Sequence, residues 1–213
     1  MKLIAENLSI DRGGRRVFTG LSFTLPAAHG LVVTGPNGIG KSSLLRTLAG
    51  LVPPSQGQLS LEGAEPEKTV AEHAHYFGHQ SAVKPALTTL ENLVFWQDFL
   101  SPALPAGFTP QAQSPSAILE LLGLEHTSSL PAAYLSAGQT RRLALARLFV
   151  CPRPIWLMDE PTSALDAASE ALLLQLMQAH LDNGGMIVTA THTPLTMSPC
   201  LTLQLADEEE SPA

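Results

Sequence analysis

The chain has 213 residues, 45% of them hydrophobic and 15% charged, with a formal net charge of −7. That length buries a real core and predicts a single domain over 1–213, and the acidic balance leaves no basic stripe to meet a phosphate backbone, so nucleic acid is not expected as a partner. No apolar run approaches the roughly eighteen residues of a membrane span, and the charged start (Lys2, Glu6, Asp11) has no signal-peptide core, so a soluble cytosolic chain is expected, working at a membrane only through something else that spans it.

Residues 2 to 25 hold short alternating apolar segments around the Gly13-Gly14 turn, which predicts an antiparallel β layer. The next stretch, Leu31 to Ala49, is the most informative. An apolar run, Leu31-Val32-Val33, breaks at Gly35 and resumes at Lys41 with the helix formers Leu44, Leu45, Arg46 and Leu48, which reads as strand, tight loop, helix. Within it Gly35, Gly40, Lys41 and Ser42 match G-x-x-x-x-G-K-[ST] without a gap. Glycines suit a loop that folds its own amides around a polyphosphate. The anion then sits at the helix start, where unpaired N–H groups and the dipole favour negative charge. The expected phosphate-binding set is Gly35, Pro36, Asn37, Gly38, Ile39, Gly40, Lys41, Ser42 and Ser43, with Lys41 on the β- and γ-phosphates and Ser42 facing Mg²⁺.

After a turn at Pro53-Pro54-Ser55-Gln56-Gly57 a strand is expected over Gln58 to Gly63, and another over residues 73 to 80. From Thr88 the pattern becomes helical. A proline-rich interval, 101 to 116, follows, and helical patterns return at Ala117 to Gly123 and Ser136 to Phe149, so 82–150 reads as an inserted helical lobe. The remainder alternates: strand Pro154 to Met158, helix Ala167 to Leu181, strand Met186 to Ala190. Strands alternating with helices around a phosphate loop predict an α/β fold with a mostly parallel core sheet. Residues 207–213 begin Asp207-Glu208-Glu209-Glu210 and read as a solvated acidic tail.

Asp159 and Glu160 follow the buried run directly, at the sheet edge where the phosphate loop opens. Asp159 would hold Mg²⁺, and Glu160 would act as catalytic base on the attacking water. Taken alone, such an acidic pair is a weak signal. His73, His75 and His79 share one strand parity; that reads as a polar or partly packed face more readily than as a metal or haem site. Cys151 and Cys200 lack metal spacing and each sits beside a proline. They read as ordinary buried thiols rather than haem ligands.

The segment Leu135-Ser136-Ala137-Gly138-Gln139, followed by Arg141-Arg142 and a helix, resembles the signature of ATP-binding cassette (ABC) ATPases. The rest of that family's set is present in the family's order: the phosphate loop, Gln80, Asp159-Glu160, Ser163-Ala164-Leu165-Asp166 and His192. The resemblance covers almost the whole chain. It implies the P-loop NTPase fold and hydrolysis of ATP with Mg²⁺. It gives Gln80 to Mg²⁺ and the attacking water, His192 to the γ-phosphate, Asp166 to a dimer interface, and Ser136, Ala137, Gly138 and Gln139 to the ATP held by a second copy. A homodimer of cassettes forming on ATP binding is therefore implied. Ala137 stands where the commonest signature has glycine, and no tyrosine lies in the first hairpin to stack on adenine, so Arg12 is the candidate there.

The run Tyr76-Phe77-Gly78-His79-Gln80, with Lys84-Pro85, the LSAGQ form and the helix from Arg141 to Leu148, further resembles the haem exporter ATPases of cytochrome c maturation. That resemblance implies integral membrane partner subunits, a peripheral place on the cytoplasmic side of the inner membrane, and contact with haem that is indirect at most. An exporter ATPase for another substrate, a soluble non-transport ABC ATPase and a nucleotide-gated subunit that hydrolyses little are the alternatives. The last is disfavoured by Glu160 and His192.

Overall fold

A computed structural model describes residues 1–100, 102–110, 113–163, 165–193 and 195–206. The acidic tail at 207–213 and Ala164 lie outside the described residues.

The first two strands, β1 (Lys2–Arg12) and β2 (Arg15–Pro26), form a hairpin turning at Gly13-Gly14, whose positive φ angles of 58° and 76° suit a tight reversal. The parallel core starts with β3 (Gly30–Thr34) and passes through the phosphate loop into α1 (Lys41–Leu48). β4 (Gln56–Glu62) returns to pair antiparallel with β1, so the first sheet has the order β2-β1-β4.

β5 (Ala74–Phe77) precedes three helices: α2 (Thr89–Phe99), α3 (Pro115–Leu121) and α4 (Ala137–Val150). Each begins on a hydroxyl cap, Thr88, Ser114 and Ser136 respectively, which accepts from an amide of the first turn. Then come β6 (Ile155–Asp159), α5 (Ala167–Asp182), β7 (Met186–Ala190) and β8 (Cys200–Gln204). The second sheet has the order β5-β6-β7-β3-β8, and every pairing in it is parallel. The mixed architecture expected from the sequence, a parallel core with an antiparallel layer and helices, is the one found.

Alternation along the buried strands divides the core. Ile155 and Leu157 of β6, with Met186 and Val188 of β7, face a cluster shared with α1 (Leu44, Leu45, Leu48) and the antiparallel layer (Leu3, Leu8, Ile10). Trp156, Met158 and Ile187 face the other way, onto α4 and α5 through Leu145, Leu148, Leu173 and Met177. Each such side chain, fully buried, contributes about 1.5–3 kcal/mol of apolar transfer. A third cluster, with Leu93, Trp96, Ile118, Leu122 and Leu143, closes the helical part on itself. Among the described residues no helix is long and apolar enough to cross a membrane.

Three expectations need correction. His73 ends a short 3₁₀ turn (Val70–His73) and His79 lies beyond β5, so the three histidines share no strand. Among the described residues no group of three or more His, Cys, Asp or Glu is placed to hold a metal. His73 Nδ1 instead donates to the Thr69 carbonyl, and His75 Nε2 to that of Cys151; both rings are buried. Cys200 is exposed on β8, while Cys151 is buried as expected. Finally, the chain forms a further strand, β8, beyond those the sequence pattern predicts, although Leu201, Leu203 and Leu205 alternate with Thr202 and Gln204.

Candidate nucleotide site

A cleft of about 300 Å³ opens at the C-terminal edge of the parallel sheet, lined among others by Arg12, Asn37, Gly38, Lys41, Ser42 and Glu160. Its floor is the phosphate loop. Gly35 has φ 139°, and a Cβ there would stand 2.5 Å from the Leu205 carbonyl oxygen at the end of β8. Gly40 has φ 110°, and its Cβ would stand 2.3 Å from Val17 Cγ1 on β2. Both positions therefore exclude a side chain, by backbone conformation and by space. Gly40 caps α1 without a side-chain bond, which leaves the first amides of that helix available to an anion.

Lys41 is buried at the loop's centre, its Nζ donating to the carbonyls of Gly35 at 2.7 Å and Pro36 at 2.9 Å. These bonds hold the ammonium inside the loop's curve. Ser42 Oγ donates to Asp159 Oδ1 at 3.0 Å, joining the loop to the last residue of β6. Asp159 is only 2% exposed, and its other oxygen accepts from the Tyr76 hydroxyl at 3.3 Å. Burial raises the Tyr76 pKa, and the neighbouring Asp159 charge adds to the effect, so the phenol stays a donor. Ile39 turns inward, 7% exposed in the core cluster, and is not part of the cleft's lining.

Glu160 takes φ 47°, left-handed for a residue that is not glycine. Its amide donates to the Ala190 carbonyl at 2.9 Å and its Oε2 accepts from Thr191 Oγ1 at 3.1 Å. His192, just past β7, donates from Nε2 to Asn37 Oδ1 at 2.7 Å and lies 3.8 Å from Glu160 Oε1. The phosphate loop, the β6 carboxylates and His192 thus converge from three separate parts of the chain. Arg12, at the end of β1, is exposed and reaches the same lining.

Two predicted groups stand apart. Gln80 is exposed and is not part of the lining, where its neighbour His79 is found. The segment Ser136 to Gln139 opens α4 next to a second cleft lined by His79, Ser81, Ala137, Thr140, Arg141 and Ser163. There Ser136 and Gln139 form a reciprocal cap: Ser136 Oγ accepts from the Gln139 amide at 3.2 Å, and Gln139 Oε1 from the Ser136 amide at 2.9 Å. Gly138 has open space where a Cβ would stand, and Ala137 is exposed. Asp166 caps α5 through the Ser169 amide at 2.8 Å, which holds its carboxyl below the usual range.

Sequence reasoning assigned no task to Tyr76 or Arg141. Arg141 Nη1 donates to the Gly78 carbonyl at 2.6 Å and Nη2 to that of Glu160 at 3.0 Å. The available signal was a charge on the buried face of α4, since residue 141 shares that face with Ala144, Leu145 and Leu148.

The sequence profile of ABC transporters matches residues 18–163. The chain is 52% identical over 195 residues to the cytochrome c biogenesis ATP-binding export protein CcmA of Nitrobacter winogradskyi, covering 92% of this chain and 94% of that one. To the protein of the same name from Agrobacterium fabrum it is 46% identical over 207 residues, covering 96% and 95%. Among solved structures, a putative ABC transporter ATP-binding protein from Pyrococcus furiosus superposes with a TM-score of 0.76 at 21% identity, over 96% of this chain and 98% of that one. A dimeric ATP-binding cassette in a post-hydrolysis state with ADP and Pi superposes with a TM-score of 0.73 at 23% identity, over 90% and 88%. At such identities the two structures speak for the fold alone. The matched profile and the half-identical relatives carry the assignment further: this chain belongs to the ABC transporter family, in the branch of the cytochrome c biogenesis ATP-binding export proteins.

Proposed function

We propose that the chain is the ATP-hydrolysing subunit of a membrane transporter serving cytochrome c maturation, where it powers haem export or the release of a haem-loaded chaperone. The observation that carries the hydrolytic part is the 3.0 Å contact between Ser42 Oγ and Asp159 Oδ1, which brings the phosphate loop and the β6 carboxylates into one site. A hydroxyl and a buried carboxylate side by side form the hard oxygen set that Mg²⁺ prefers. In this reading Ser42 and Asp159 would hold the metal, which when bound offsets the charge of the β- and γ-phosphates, and Gln80 would have to reach it from beyond the present lining. Gly35 to Ser43 cradle the phosphates, and Lys41 exchanges the two loop carbonyls for phosphate oxygens.

Glu160 orients the attacking water and takes its proton, and His192, beside it, hydrogen-bonds the γ-phosphate. Arg12 stacks its guanidinium on the adenine, a role that a planar, weakly hydrated cation suits. Ser136, Ala137, Gly138 and Gln139 serve the ATP of a second copy, because the first turn of α4 keeps the Ala137 and Gly138 amides, which the Ser136–Gln139 cap does not use. Two cassettes then close head to tail on two ATP. The dimer is held by integral membrane subunits at the cytoplasmic face of the inner membrane, the chain itself staying peripheral and touching haem indirectly at most.

The names of the half-identical relatives support the cytochrome c part of this reading. Purification of the tagged chain from detergent-solubilised membranes tests it. Haem-handling membrane subunits are expected to co-purify; membrane subunits of another transporter would replace haem by another cargo, and ribosomes or DNA would overturn the transport reading.

A further inference from the structure

Arg141 is 8% exposed, its guanidinium lies 3.9 Å over the Phe77 ring, and its Nε has no hydrogen-bond partner among the described residues. Burial pushes its pKa down to about 10, so it remains a cation at neutral pH. Burying such a charge carries a desolvation penalty, and an apolar side chain on this face of α4 would pack without it. The fork, however, reaches two particular backbone oxygens. One is the Gly78 carbonyl, two residues before Gln80; the other belongs to Glu160.

The second contact bears on the chemistry. Glu160 is held in a left-handed conformation that a residue with a side chain keeps only where its surroundings fix it. The peptide plane before it is fixed by its amide bond to Ala190, and the plane after it by two donors to its carbonyl, Arg141 Nη2 and the Ser163 amide at 3.1 Å. Those two planes set the direction of the Glu160 Cα–Cβ bond, and Thr191 Oγ1 holds the carboxylate at its far end. Arg141 is thus the one of these donors that arises from the helix opened by Ser136.

We propose that Arg141 is a positioning residue for hydrolysis, tying Glu160 and the segment leading to Gln80 to the signature helix α4 so that the three move as one unit. The inference rests on the hydrolytic reading above. With Arg141 replaced, the hydrogen bonds of the phosphate loop and of the Ser42–Asp159 pair keep their partners, so nucleotide still binds, but Glu160 is held by one donor fewer.

The test compares wild type, Arg141→Lys and Arg141→Gln in the transporter purified through this subunit. Steady-state ATPase kinetics are measured alongside the affinity and number of sites for a fluorescent ATP analogue. Arg141→Gln is expected to lower kcat by about tenfold, with KM and site number within twofold of wild type. Arg141→Lys keeps the charge but not the fixed fork, so an intermediate kcat is expected. If the glutamine variant does not fold, the lysine variant carries the comparison. Either variant hydrolysing at the wild-type rate would overturn the inference, as would a loss of kcat matched by an equal loss of nucleotide sites. A wild-type transporter that does not hydrolyse ATP would instead overturn the hydrolytic reading itself.

Discussion

Tyr76, Asp159 and Ser42 form a hydrogen-bonded row in which each carboxylate oxygen of Asp159 has its own hydroxyl donor. The row leaves Asp159 little rotational freedom, and the next residue, Glu160, is turned away by its positive φ toward Thr191 and His192. Two adjacent carboxyls thereby face different neighbours, which suits one for the metal and the other for water. Glu160→Gln keeps this shape while removing the base, so hydrolysis is expected to fall by a factor of about 10²–10⁴ while ATP binding persists. Gel filtration with ATP should then show a trapped dimer, and a monomer under those conditions would refute the sandwich arrangement. The strand, loop and helix from β3 to α1 were legible because the four fixed motif positions, Gly35, Gly40, Lys41 and Ser42, lie within eight consecutive residues. Tyr76 and Arg141 were not, since their partners lie far off in sequence and only the packing of α4 and β6 against β5 brings them together.

At the scale of elements, α2 begins with a strong local instruction. Thr88 Oγ1 accepts from the Glu91 amide at 3.2 Å and Glu91 Oε2 from the Thr88 amide at 2.7 Å, so the start of α2 satisfies its own donors. Asn92, fully buried one turn in, donates to the carbonyls of Lys84, Leu87 and Thr88 and fixes the chain before the helix. Loss of the cap in Thr88→Ala should cost about 1 kcal/mol, a fall in Tm of roughly 2–4 °C by calorimetry for a chain of this size. Such capped helices announce themselves in the sequence. Short strands do so less: β5 occupies only Ala74–Phe77, and the polar residues after it extended the apparent strand to Gln80. In β8 the alternating threonine and glutamine, with no glycine signal beside them, hid a strand that borders the phosphate loop.

In the molecule as a whole, two buried imidazoles lie on one side of the parallel sheet. His75 bonds the Cys151 carbonyl and His180 that of Pro154, and His180 also stacks on Trp156 with ring centroids 3.9 Å apart. Burial is the main cause that pushes both pKa values down to about 3, below the ordinary 6.5. The folded state therefore keeps them neutral while the unfolded chain takes up protons as pH falls below about 6.5. Stability is complete above that pH and is lost as pH falls toward 3, by up to about 1.4 kcal/mol per pH unit for each ring. Urea unfolding measured between pH 7 and 4 should show this slope, and a His75→Gln, His180→Gln double variant should flatten it. At the same scale, the antiparallel layer presses on the phosphate loop where Val17 meets Gly40. For heredity this contact has a definite outcome. A lineage that lost Gly40 to alanine would face two separate obstacles, the Val17 methyl and a φ of 110°, and a second-site change at Val17 would relieve only the first. A suppressor at Val17 is therefore expected to restore the cassette only in part, while reversion at the codon removes both obstacles.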